Sequence, residues 1–142
     1  MILLDTNVVS EMMRRDPDNV VVSWLDRQPP ESVWTTAVTV FEVRLGLEVL
    51  EPGRRRHALE ETFERALRED FDGRVLPFDD AAADAAGRLA AERRRAGRSI
   101  EIRDAQIAGI AAARKATIAT RNLRHFENTG VALVNPWSEV VS

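Results

Sequence analysis

Five short apolar runs, carried by "MILL", "SVWTT", "RVLPFD", "ATIATRN" and "VALVNPW", are spaced along the 142-residue chain by longer stretches with helical periodicity. Parallel neighbouring strands need a crossover of a dozen or more residues, and a helix is the usual one. The alternation therefore predicts an α/β fold, a central parallel sheet covered by helices on both faces. The helical stretches are "NVVSEMMRR", broken by Pro17, and "DNVVVSWLDRQ", stopped by Pro29 and Pro30. "TVFEVRLGLEVL" follows and ends at Pro52-Gly53, then "RRRHALEETFERALREDF". "AAADAAGRLAAERRRAG", closed by Gly97, and "DAQIAGIAAAR" complete the set. A chain of this length suits one domain over residues 1–142, with no linker-like stretch or repeat.

Composition removes several kinds of chemistry. Without cysteine there is no thiol catalysis, zinc ribbon or disulfide framework, and the two histidines, His57 and His125, lack metal-ligand spacing. Neither G-x-G-x-x-G nor G-x-x-x-x-G-K-[ST] occurs, so glycine loops do not hold a phosphate here. No apolar run approaches membrane-spanning length and no secretory leader is present, which points to a soluble, cytoplasmic protein without membrane contact. A net charge of −3 argues against holding nucleic acid by bulk electrostatics. Positive charge is almost all arginine, and Arg54-Arg55-Arg56 and Arg93-Arg94-Arg95 read as solvated faces of glutamate-bearing helices.

Four places carry acids or amides where chemistry could gather. Asp5 ends the first apolar run, at a strand's carboxyl edge, where open α/β sheets bind ligands. It could equally cap the next helix. Glu42 shares a helical stripe with Leu45, Gly46 and Val49, although Thr39-x-x-Glu42 also matches a capping box. Asp104 shares a stripe with Ile107, Ala108 and Ala111, yet a first-turn acid is also favoured by the helix dipole. "TIATRN" repeats the design of the first run, ending in Thr120 and Asn122. Three carboxylates meeting in one pocket would repel unless cations neutralise them, and hard oxygen donors select Mg²⁺ or Mn²⁺. Such an ion suits phosphodiester hydrolysis. Arg103 and Arg121 flank the acids and are candidates for gripping phosphates.

Together, in this order, "LLDTNVVSE", "TAVTVFEVRLGL", "DAQIAGIA" and "ATRNLRHFENTGVALVNPW" resemble the PIN-domain ribonucleases of the VapC type, nearest the FitB-like members. The resemblance spans essentially the whole chain. It implies a Mg²⁺-dependent endoribonuclease, with Mn²⁺ able to substitute, acting as the toxin of a toxin–antitoxin pair. It also implies an RNA substrate, a homodimer, and a small antitoxin that carries the DNA-binding domain and blocks the pocket. Asp5, Glu42 and Asp104 would be the metal-binding acids, Asn122 would hold the fourth position, and Thr6 and Thr120 would be supporting hydroxyls. Asn122 departs from the four-acid pattern by adding no charge, and His125 stands where many relatives carry an aspartate. Three rivals remain: a phosphatase using Asp5 as nucleophile, though Asn7 stands where that pattern wants a second aspartate, a phospho-accepting signalling domain, and a PIN-fold binding protein without catalysis.

Overall fold

Short strands are stabilised when both faces are covered, and here inner strands of the sheet divide their side chains between two cores. The computed structural model describes residues 1–138, and 140–141 for their backbone. In β1 (Ile2–Leu4), Leu3 faces one core and Leu4 the other. The same division separates Ile118 from Ala119 in β4 (Thr117–Ala119) and Leu133 from Val134 in β5 (Ala132–Asn135). Alternation follows from the two-residue period of a strand. One core lies under α5 (Asp80–Arg95) and α6 (Ile102–Arg114). The other lies under α1 (Thr6–Met12), α2 (Asn19–Asp26), α3 (Ala37–Glu48) and α4 (Arg54–Arg65).

With β2 (Val33–Thr36) and β3 (Val75–Leu76), the sheet runs β3-β2-β1-β4-β5, all parallel, and β6 (Val140–Val141) adds an antiparallel edge. The expected parallel sheet with helices on both faces is what forms. The edge strand β6 was not expected, since two residues carry no periodic signal. The chain turns into it after Asn135, whose side-chain oxygen accepts from the Trp137 N–H at 2.9 Å. The helix beginning at Arg54 also differs from expectation. Its last turn, Ala66–Asp70, widens to a π-helix before Asp72 and Gly73 take positive φ and deliver the chain into β3. Among the described residues no helix is long and apolar enough to cross a membrane.

Because β2 and β3 lie on one side of β1 while β4 and β5 lie on the other, the chain reverses its direction of winding between β1 and β4. Connections leave the sheet in opposite directions there and open a crevice at the carboxyl ends. The wall over that crevice depends on a close helix pair. A Cβ added to Gly109 of α6 would collide with the Ala82 carbonyl oxygen of α5 and lie 2.6 Å from the Ala86 Cβ. Gly109→Ala is therefore expected to destabilise the protein by about 1–3 kcal/mol, despite alanine's better helix propensity. Thermal unfolding measures this, at roughly 2–4 °C per kcal/mol for a domain of this size.

Candidate active site

Asp5 follows β1 directly and is only 6% exposed. It does cap α1, its Oδ1 accepting the Thr6 N–H at 2.8 Å. Its other oxygen faces β4: Oδ2 accepts from the Thr120 hydroxyl at 2.9 Å and from the Asn7 amide at 3.3 Å. Thr120 in turn accepts from the Asn122 N–H at 3.1 Å and from Asn7 Nδ2 at 3.2 Å. Asn7 Oδ1 closes the network by accepting the Arg121 N–H at 3.0 Å. The capping expectation thus holds for one oxygen of Asp5, while the other is tied to the neighbouring strand end.

Glu42 reaches the crevice from α3, but not on the buried stripe expected for it: Leu45 and Val49 are exposed, and the helix buries Val38, Val43 and Leu47 instead. The capping box expected from Thr39-x-x-Glu42 does not form. α3 begins earlier, at Ala37, because the Thr36 hydroxyl at the end of β2 accepts the Thr39 N–H at 3.1 Å. Glu42 is left free to accept from the Thr6 hydroxyl at 2.9 Å and to face Arg103 at 3.7 Å. Asp104 lies in the first turn of α6, whose cap is Glu101, accepting from the N–H groups of Arg103 and Asp104. The Asp104 carboxylate therefore has no capping duty, and its partner is His125 Nδ1 at 3.4 Å.

These groups line one cavity of about 560 Å³. Of the residues singled out in the sequence, Asp5, Thr6, Glu42, Arg103, Asp104 and Asn122 share its wall, while Thr120 sits fully buried behind Asp5. Arg121 is not part of the wall; its guanidinium stacks over Trp137, 4.9 Å from the ring centre. Asn7, Arg93, Glu101, Arg124 and His125 line the cavity as well. Arg93 lies within the triplet read above as a solvated face, yet only 8% of it is exposed. Its spacing from Ala82, Ala86 and Leu89 puts it on the buried stripe of α5, and that was a legible signal.

Burial, and repulsion by the charge of Asp5, set the electrostatics of the acids. Burial raises Asp5 above the ordinary carboxylate value, against the hydrogen bonds from Thr6, Thr120 and Asn7. Glu42 is raised by burial and by the charge of Asp5, with Thr6 and Arg103 opposing. Asp104 is pushed from 3.8 to about 6 by burial first and then by Asp5, with His125 opposing. Among the described residues no three His, Cys, Asp or Glu side chains are gathered closely enough to hold one ion by direct ligation. The all-oxygen, mutually repelling donor set suits a hard divalent cation that keeps several of its waters, as Mg²⁺ does, and not a dry three-carboxylate cage.

Asp5 and Asp104 should respond oppositely to loss of charge in metal-free buffer. Asp5→Asn turns an acceptor into a donor facing the Asn7 amide, and is expected to lower stability by about 1 kcal/mol. Asp104→Asn removes a repelled charge and is expected to raise it by roughly 1–3 kcal/mol at neutral pH. Folded protein holds a proton on Asp104 that the unfolded chain has released between 3.8 and about 6. This group's contribution to stability therefore falls as pH rises through that window. The gap between Asp104→Asn and wild type should widen over that range and then level off, as read by denaturant unfolding in chelator.

Residues 2–131 match the profile of the PIN domain family. The toxin FitB of Neisseria gonorrhoeae is 40% identical over 98% of this chain and 100% of its own length. The VapC ribonuclease Y4jK of Sinorhizobium fredii is 39% identical over 96% of this chain and 98% of its own length. A solved structure of FitAB bound to the IR36 DNA fragment superposes with a TM-score of 0.89 at 40% identity, covering 96% of both chains.

Proposed function

The chain belongs to the PIN-domain family, and on that premise we propose that it is a divalent-metal-dependent endoribonuclease, the toxin of a toxin–antitoxin pair. The observation that carries the reading is the meeting of Asp5, Glu42 and Asp104, from three separate elements, in one polar cavity at the β1/β4 crevice. Mg²⁺, or Mn²⁺ in its place, would neutralise these acids and supply Lewis-acid stabilisation of the phosphate and activation of water. Asp5, Glu42 and Asp104 are the metal-holding acids in this proposal, and Asn122 is the neutral fourth member.

The remaining groups bind and orient. Thr6 fixes the Glu42 carboxylate by its hydroxyl, while Thr120 and Asn7 fix that of Asp5. Arg103 and Arg124 on the cavity wall offer guanidinium groups to the RNA backbone, where forked donors suit phosphate oxygens. Arg121, held over Trp137, stands outside the cavity wall. Hydrolysis then consists of water adding to phosphorus as the bond to the leaving ribose oxygen breaks. The phosphatase rival is disfavoured, because an Asp5 carboxylate that accepts three hydrogen bonds is a poor nucleophile, and Asn7 is fully engaged in holding it.

The partner in this reading is a small antitoxin with its own DNA-binding part, consistent with the relative's complex on DNA. A groove of about 270 Å³ lined by Met13, Val43, Leu47, Leu50 and Leu59 runs up to Thr6 and Glu42, and we assign antitoxin docking to it. Phe41, Leu45 and Val49 form an exposed apolar stripe on α3 that suits a homodimer contact. The protein would act in the cytoplasm, where its RNA substrate is.

Asp5→Asn, Glu42→Gln and Asp104→Asn should each lower Mg²⁺- or Mn²⁺-dependent RNA cleavage by at least roughly a hundredfold and relieve growth inhibition on expression. Cleavage that survives chelation, or all three substitutions, refutes the assignment, and a folded wild type without activity points to the non-catalytic rival. Asn122→Asp should lower the Mg²⁺ concentration required for cleavage, because it restores a charge to the cavity. An unchanged metal requirement would place Asn122 outside the ion's surroundings.

A further inference from the structure

Arg93 has no part in the reading above, and its setting is unusual for an arginine. The guanidinium lies in the last turn of α5, buried, with no ion-pair partner among the described residues. Its Nη1 donates to the His125 carbonyl at 2.6 Å and its Nη2 to the Ser99 carbonyl at 3.5 Å, while Nε is buried without an acceptor. Burying a charge without a counter-ion, and an N–H without a partner, is costly, and a methionine or leucine would fill the same stripe of α5 without that cost. What only the forked guanidinium provides is a simultaneous hold on two main-chain carbonyls.

Those two carbonyls belong to the two segments that flank Asp104. Ser99 lies two residues before Glu101, the cap that fixes the start of α6 and so the place of Asp104. His125 belongs to the 3₁₀ turn Leu123–Phe126, which follows Asn122 and presents the imidazole to Asp104. We propose that Arg93 is a positioning residue for the nuclease centre, tying the Ser99–Asp104 segment to the Asn122–Phe126 turn and so setting the gap between Asp104 and the amide and imidazole opposite it. The inference rests on the nuclease reading for its consequence in catalysis. Both bonds run to backbone, so the clamp does not depend on which side chains stand at 99 and 125.

The test compares Arg93→Lys, which keeps the charge but cannot fork, with Arg93→Met, which keeps the apolar stem, and Arg93→Ala, which leaves room for added guanidinium. Kinetics on RNA, Mn²⁺ affinity without RNA, and amide hydrogen exchange are measured on each, at temperatures where all remain folded. In both Arg93→Lys and Arg93→Met, kcat should fall at least about tenfold with KM nearly unchanged, and the Mn²⁺ dissociation constant should rise. Exchange should accelerate in residues 99–104 and 122–127 but not in α1 or β2. Guanidinium ions at millimolar concentration should restore part of the activity of Arg93→Ala and of no other form.

Wild-type activity in Arg93→Lys with loss in Arg93→Met would show that charge alone matters and overturn the clamp. Faster exchange spread evenly over the protein, with activity lost in proportion to the folded fraction, would reduce Arg93 to general stability and overturn it too. A wild type that neither cleaves RNA nor binds Mn²⁺ would defeat the nuclease reading instead. The exchange pattern, which needs neither substrate nor metal, would still decide whether the clamp exists.

Discussion

The hydrogen bond from the Thr120 hydroxyl to the Asp5 carboxylate, 2.9 Å long, joins the ends of the two strands between which the chemistry of this protein is arranged. β1 and β4 are neighbours in the sheet but more than a hundred residues apart in sequence, and their pairing leaves both chain exits pointing into one crevice. Asn7 reinforces the junction from the first turn of α1, reaching Asp5, Thr120 and the Arg121 backbone at once. A hydroxyl that donates to a carboxylate and accepts from a backbone N–H has its rotor fixed, so Asp5 is held in one orientation before any ligand arrives. The positions of Glu42, through Thr6, and of Asn122, through Thr120, are set from this same junction.

The cavity is in electrostatic tension. Burial raises the proton affinity of all three acids and the charge of Asp5 raises that of Glu42 and Asp104 further, while Arg103, Arg124 and the buried Arg93 stand on the same wall. Arg103 is shared between Glu101 at 3.2 Å and Glu42 at 3.7 Å, a loose arrangement that leaves a guanidinium available to an incoming anion. The negative net charge of the chain is therefore no measure of this site, because the acids and arginines are sorted locally. In the proposed reading, the arginines would face a polyanionic substrate and the carboxylates a divalent cation. Such an arrangement is less stable than an apolar or paired one would be, as expected where function sets the constraint.

Much of this was legible in the residues. The apolar runs ending in Asp5 and in Thr120 were visible as strand ends, and the stripe of Ile107, Ala108 and Ala111 placed Asp104 on an inward face. The stripe of Leu45 and Val49 expected to carry Glu42 inward is exposed, and α3 buries Val38, Val43 and Leu47 instead. Capping was harder to read. Thr39 and Glu42 have the spacing of a capping box, but the helix takes Thr36 because its hydroxyl already stands at the end of β2 in extended conformation. Arg121 sits next to Thr120 in sequence, yet its side chain leaves the crevice for the face of Trp137, where a cation finds a favourable quadrupole. Arg93 was hidden by its neighbours. An arginine triplet suggests solvent, whereas the 4-3-4 spacing from Ala82 to Arg93 marks the member that turns inward.

The sequence by itself determined the class of fold, the order of elements and the kinds of atom available for chemistry, because local periodicity, turn residues and the absence of cysteine are properties of the chain alone. Only the tertiary structure decided which polar groups are partners. Asp5 with Thr120, Glu42 with Thr6 and Arg103, Asp104 with His125, and Arg93 with the carbonyls of Ser99 and His125 are contacts between separate elements or across the sheet. Their existence depends on strand order and helix packing, which arise from the burial of apolar surface over the whole domain, and no local window of the chain contains that information.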